Sequence, residues 1–71
     1  MLKEDARIKF NGTFRGLKHI DDELVQAYNE AVKQAYGYEG FCVENAHELE
    51  RLIIEGWVEF YLDEIIIYVD M

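Results

Sequence analysis

Trp57-Val58-Glu59-Phe60-Tyr61-Leu62-Asp63-Glu64-Ile65-Ile66-Ile67-Tyr68-Val69-Asp70 is the stretch that decides the fold. Pairing it as an antiparallel hairpin that turns at Asp63-Glu64 separates the two faces. Val58, Phe60, Leu62, Ile65, Ile67 and Val69 fall on one side, all apolar. Trp57, Glu59, Tyr61, Ile66, Tyr68 and Asp70 fall on the other. Side chains alternate along a strand, so slipping the pairing by one residue would move the apolar set into water. The hairpin therefore has one face that must be covered, and the rest of the chain has to supply the cover.

Two helices upstream do so. Ile20-Asp21-Asp22 reads as a helix start with Asp21 as the cap, and Ile20 and Val25 stand at the positions of a hydrophobic staple. Leu24, Ala27, Tyr28, Ala31, Val32 and Ala35 recur at helical spacing and form one apolar stripe. Asp22 and Glu23 suit the positive end of the helix dipole, and Gly37 provides the stop. Asn45-Ala46-His47-Glu48 is a variant capping box. It opens a second, shorter helix with Ala46, Leu49, Leu52 and Ile53 inward and Gly56 at its end. Phe41-Cys42-Val43 is too short to assign from pattern alone.

The N-terminal stretch Ala6-Arg7-Ile8-Lys9-Phe10 alternates like a half-buried strand, and Asn11-Gly12 is a turn signal. Thr13 to Leu17 is expected to return as a second strand. A three-residue loop would pair Phe10 with Phe14 and keep both inward. The expected architecture is a small α+β domain spanning residues 1–71. In order it is ββ-α-α-ββ, with an N-terminal and a C-terminal hairpin in one antiparallel sheet and two helices on one face.

Composition limits the function. The chain has 71 residues, 51% of them hydrophobic, with no proline, which suits one folded domain with short loops. A single cysteine, Cys42, excludes an internal disulfide and fits a reducing compartment. Met1-Leu2-Lys3-Glu4-Asp5 lacks the apolar core of a signal peptide, and no apolar run approaches a membrane span. A cytoplasmic protein without membrane contact is expected. Asn11-Gly12-Thr13 spells a glycosylation sequon, but without a secretory signal it reads as a turn.

Charge is divided unevenly along the chain. Residues 1–36 carry six acids and six bases, whereas residues 37–71 carry nine acids and only Arg51, giving the net charge of −8. Such a field repels nucleic-acid phosphates and attracts basic protein surfaces. Solubility alone is the plainer reading of an acidic excess.

Catalytic signals are weak. His47-Glu48-Leu49-Glu50-Arg51 lacks the second histidine of a zinc-protease helix, and His19 stands beside a cap. Cys42 has no neighbouring base, and carboxylates are too numerous for any pair to be specific. No cofactor, no metal and no enzymatic activity are expected.

The outer face of the C-terminal hairpin is the main candidate for a contact surface. Trp57, Tyr61 and Tyr68 would be its aromatic anchors and Glu59, Asp63, Glu64 and Asp70 its acidic rim. On the second helix Glu44, Glu48 and Glu55 lie near one line, so that with the hairpin they could imitate a track of phosphates. An ordinary solvated helix face and cross-strand aromatic packing are the competing readings. The function expected is a small acidic inhibitor or modulator that docks on a basic surface of a nucleic-acid-handling protein. A phage or mobile-element counter-defence protein that mimics DNA by its charge would fit. The alternative is a homo-oligomeric accessory protein that self-assembles through the hairpin face, or as a homodimer through an Ile65-Ile66-Ile67 edge.

Part of the N-terminal half resembles the barstar family of ribonuclease inhibitors. The residues concerned are Phe10-Asn11-Gly12 closing a strand, then Ile20-Asp21 opening a helix with Leu24. The likeness stops at Tyr36-Gly37-Tyr38-Glu39, which lacks the asparagine and aspartate pattern that the family's binding segment would carry. It implies only the general idea of a small acidic protein that blocks a basic enzyme site.

Overall fold

The structure, a computed structural model, describes residues 1–70. Strand β1 (Leu2–Lys9) is followed by helix α1 (Asp22–Tyr36), helix α2 (Ala46–Glu55), strand β2 (Val58–Tyr61) and strand β3 (Glu64–Asp70). The three strands form one antiparallel sheet in the order β1-β3-β2. The expected class holds, an antiparallel sheet with two helices against it. The expected N-terminal hairpin does not.

β1 begins earlier than the pattern suggested, at Leu2, and pairs along its length with β3. The register shifts between Glu4 and Ala6, leaving Asp5 as the extra residue of a bulge. Thr13–Leu17 forms no strand. The chain leaves the sheet after Phe10, whose N–H donates to Asp63 O at 2.7 Å, and enters a 3-10 turn at Leu17–His19. Gly16, at φ 102, immediately precedes that turn in a conformation that favours glycine. The inward position expected for Phe14 survives by another route: its ring stacks on Phe60 at 4.6 Å between centroids.

The C-terminal hairpin differs from expectation in a way that leaves its faces intact. The turn is Leu62-Asp63, one residue earlier, so Phe60 pairs with Ile65 and Val58 with Ile67. The pairing has moved by two residues, and the period of a strand is two. Val58, Ile65 and Ile67 therefore remain inside, each at most 1% exposed, and Phe60 lies partly buried among aromatic rings. Leu62 does not join them. It occupies the turn at φ 56 and is 80% exposed, because a turn residue has no facing strand position.

Both helices end as their sequences dictate. Asp21 Oδ1 accepts from Leu24 N at 2.9 Å, and Asn45 Oδ1 accepts from Glu48 N at 3.0 Å. Glu48 Oε1 accepts from Glu44 N rather than from the cap residue itself. Gly37 and Gly56 close the helices in the left-handed region, at φ 77 and 89. Leu24, Val25, Tyr28 and Val32 of α1 and Leu49 of α2 join Ile8, Val58, Ile65 and Ile67 in one core. Ala35, expected in the stripe, is exposed.

Polar side chains tie the connections to this core. Asn29 accepts from Val43 N and donates to Val43 O, both at 2.9 Å, so one side chain satisfies both backbone groups of a residue in the α1–α2 loop. Tyr28 Oη donates to Phe41 O at 2.8 Å. These bonds explain why Phe41-Cys42-Val43 is ordered without being a strand. Tyr36 Oη donates to Asp5 Oδ2 at 2.6 Å and so links the end of α1 to the bulge.

Candidate functional site

The sheet face away from the helices carries most of the residues singled out from sequence. Glu59 and Tyr61 of β2 stand beside Ile66 and Glu64 of β3, with Tyr68 and Asp70 further along that strand. Tyr61 is 55% exposed. Tyr68 is half-buried, and its hydroxyl donates to Glu59 Oε1 at 3.4 Å. Desolvation by its neighbours, then Glu59, raises the Tyr68 phenol above the usual tyrosine value. Trp57 precedes β2 and lies across from Tyr68, whose N–H donates to Trp57 O at 2.8 Å, but it is partly buried and packs against the core. The Trp57 backbone N–H donates to Leu52 O at 2.9 Å, which fixes the passage from α2 into the hairpin.

β1 brings basic residues to the same face. Arg7 faces Ile66 and Lys9 faces Glu64. Arg7 Nε lies 3.0 Å from Glu4 and Nη1 3.7 Å from Glu64, while Lys9 Nζ lies 3.4 Å from Asp63. Asp70 Oδ1 is 3.2 Å from the Met1 backbone nitrogen. Ile66 is only 2% exposed although it lies outside the core cluster. Its cross-strand neighbours on this face are Arg7 and Glu59, long side chains whose stems suit an apolar surface. Among the described residues, the face carries the ion pairs of Arg7 and Lys9, the unpaired Glu59, one buried isoleucine and Tyr61 as its open aromatic.

The order of the strands also removes one route to self-association. β3 lies between β1 and β2, so the backbone of Ile65-Ile66-Ile67 is already paired on both sides. The reading of that run as an edge that could pair in a homodimer is corrected: the run is central, not marginal. The free edges are β1, which carries the bulge and alternating charges, and the four-residue β2. Bulges, charges and short strands are features that oppose edge-to-edge pairing.

The second surface lies beside α2. A groove of about 290 Å³ runs between the 40–43 loop and the helix, with Phe41, Val43 and Leu52 at its floor and Glu48, Arg51 and Glu55 along its rim. Arg51 Nη2 is held by Glu55 at 3.3 Å. Glu44, Glu48 and Glu50, in contrast, have no cationic partner among the described residues. Ile54 on this helix is 63% exposed. Cys42 also lines the groove, but its Sγ donates to Asn29 O at 3.6 Å, and burial followed by Glu39 raises its thiol pKa. A thiol held protonated is a poor nucleophile.

Sequence reasoning missed Glu4, Arg7 and Lys9 as residues of the hairpin face, because strand order is not written in local pattern. The alternation of residues 6–10 signalled a strand, but gave no sign that its partner lay sixty residues away. Compared with known protein families, curated proteins and solved structures, the chain matches none. The barstar resemblance accordingly carries no further argument. No helix among the described residues is long and apolar enough to cross a membrane.

Proposed function

We propose that this chain is a small acidic binding protein that docks on a basic surface of another protein, one that handles nucleic acid. One observation carries the reading. After folding has brought Arg7, Lys9 and Lys33 onto carboxylates of the second half, Glu44, Glu48, Glu50 and Glu59 still lack a cationic partner among the described residues. Acids that the fold leaves unneutralised steer a basic partner and raise its association rate. Phe41 and Leu52 beside Glu48 in the α2 groove, and Tyr61 two residues from Glu59 on the sheet face, offer apolar area for the desolvated centre of a contact on either surface. Mimicry of a phosphate track and a counter-defence role are the finer form of the same proposal.

The test is a pull-down from the native host at low salt, with mass spectrometry of what elutes as salt is raised. The captured partner is then measured against Glu44→Lys, Glu50→Lys and Glu59→Lys, none of which breaks an ion pair. Association should slow, and its salt dependence should flatten. If retention ignores salt and the chain sediments as a dimer through its hairpin face, self-assembly replaces this reading.

A further inference from the structure

The groove beside α2 has the size and the charge for one kind of occupant. Its volume is about 290 Å³, with Phe41, Val43 and Leu52 as its apolar floor. Small-molecule sites start at about 300 Å³, so this groove is on the scale of one or two side chains rather than a whole cofactor. The loop that forms one wall is already held in place. Asn29 pins both backbone groups of Val43, and Tyr28 Oη donates to Phe41 O. An entering side chain meets an ordered wall, which lowers the entropy cost of binding.

The rim is a helical stripe. Glu48, Arg51, Leu52 and Glu55 stand at i, i+3, i+4 and i+7 of α2 and so share one side of the helix. Glu55 lies 3.3 Å from Arg51 and offsets its charge. Beside Cys42, Lys33 is engaged by Glu39 at 3.5 Å. Glu48 has no cation among the described residues. Its Oε1 instead accepts from Glu44 N at 3.3 Å, which brings a second unneutralised acid, Glu44, to the same end of the groove. The two cations of this region are each matched by one carboxylate, and Glu44 and Glu48 remain in excess.

Aromatic rings continue the floor outward. Phe41 tilts against Tyr36 at 5.5 Å between centroids, and Tyr36 meets Tyr38 edge-on at 5.9 Å. Tyr38 is 60% exposed, and its ring lies against Gly40, a groove residue where a Cβ would collide with it. An open aromatic ring near free carboxylates suits a guanidinium, which stacks on aromatic faces and pairs with carboxylates as a fork. Charge also decides between occupants. A second copy would bring another chain of net charge −8, and nucleic acid or an anionic membrane would be repelled.

We infer that this groove takes a short arginine-rich segment of the partner protein, with one apolar side chain on Phe41 and Leu52 and its neighbouring arginines on Glu44, Glu48 and Tyr38. The inference rests on the acidic-docking reading above and names the site and chemistry of its contact. The test is an amide-resonance titration of the full chain at fixed ionic strength with three peptides. They carry leucine between two arginine pairs, glycine between the same pairs, and leucine between two glutamine pairs. The first should shift residues 38–43 and 48–55 and bind at least about fivefold more tightly than the second, the effect of a partly buried leucine. Glu44→Gln with Glu48→Gln should weaken it by at least about threefold, while an amide oxygen still accepts from the residue 44 N–H. Tyr38→Ala should weaken it by about twofold or more. Asp22→Asn with Glu23→Gln, at the start of α1, removes the same net charge away from the groove and should leave binding unchanged. The spectra report whether each variant is folded. Arginine peptides that bind equally with leucine and glycine, that shift another face, or that give no shift overturn the groove and leave the acidic-docking reading standing. A glutamine peptide that binds as tightly as its arginine counterpart overturns both. Shifts at these same residues on raising the protein concentration alone would show a second copy in the groove and overturn the inference as well.

Discussion

Replacing Phe60 by alanine tests how the chain closes its core on the β2 side. The Phe60 ring has three aromatic neighbours: Phe14 stacked at 4.6 Å, Phe10 edge-on at 5.2 Å and Tyr28 tilted at 6.4 Å. Phe14 comes from a loop with no regular structure of its own around it, and this stack anchors that loop to the sheet. A fully buried phenylalanine costs about 3–5 kcal/mol when cut to alanine. Phe60 is only partly buried, which lowers the expected cost to about 2–4 kcal/mol. A chain of 71 residues has a total stability of about 4–11 kcal/mol at ordinary values per residue, so the loss is a large share. Urea unfolding followed by fluorescence and by circular dichroism measures it. The double cycle with Phe14→Ala isolates the stack itself, for which aromatic pairs give about 0.5–1.5 kcal/mol of coupling. A loss under about 1 kcal/mol for Phe60→Ala, or a coupling near zero, would refute this placement of the loop.

Leu62 holds φ 56 while 80% exposed, and a side chain in that region costs about 1–2 kcal/mol, so Leu62→Gly should raise the urea midpoint while Leu62→Ala should not. Equal midpoints for glycine and alanine would show that the turn is unstrained. Asn29→Ala strands both backbone groups of Val43 and should cost about 2–3 kcal/mol, with faster amide exchange confined to residues 40–44. The Tyr28 phenol is raised well above its usual value, first by burial, so its contribution is complete below the unfolded value of about 10 and is lost as pH rises above it. Unfolding free energy should therefore fall through that alkaline range, and Tyr28→Phe should make the fall shallower; an unchanged slope would mean that Tyr28 does not titrate with unfolding.

The parts legible in the sequence are those fixed by local chemistry. Asp21, Gly37, Asn45 and Gly56 bound both helices because caps and left-handed stops act within one turn of the chain. The inward set Val58, Ile65 and Ile67 was legible despite a wrong turn, because an error of two residues preserves parity. Leu62 was misplaced because hydrophobicity argued for the core, while the two-residue turn required a strained conformation at that point. Thr13–Leu17 was misread because an Asn-Gly turn signal specifies a reversal of the chain but not what the chain pairs with afterwards. β3 already occupied the one paired side of β1.

Charge shows the same limit on a larger scale. Summed along the chain, the first half is neutral and the second strongly acidic, which suggests two electrostatic halves. The sheet does not keep them apart. β1 belongs to the neutral half in sequence but lies against β3 in space, and its Arg7 and Lys9 lie on Glu64 and Asp63. The hairpin acids, which looked like the richest surface, are therefore the ones the fold has largely neutralised. The acids without a cationic partner lie further from β1, at the start of α2 and on β2, where Glu44, Glu48, Glu50 and Glu59 face no base of the first half. Exposed pairs of this kind contribute about 0–1 kcal/mol each to stability, so their main effect is on the field a partner meets. A basic surface approaching this protein is attracted more strongly by the α2 side than by the hairpin turn. Charge reversal at Glu50 should therefore slow association more than reversal at Glu64, which already has Arg7 within 3.7 Å.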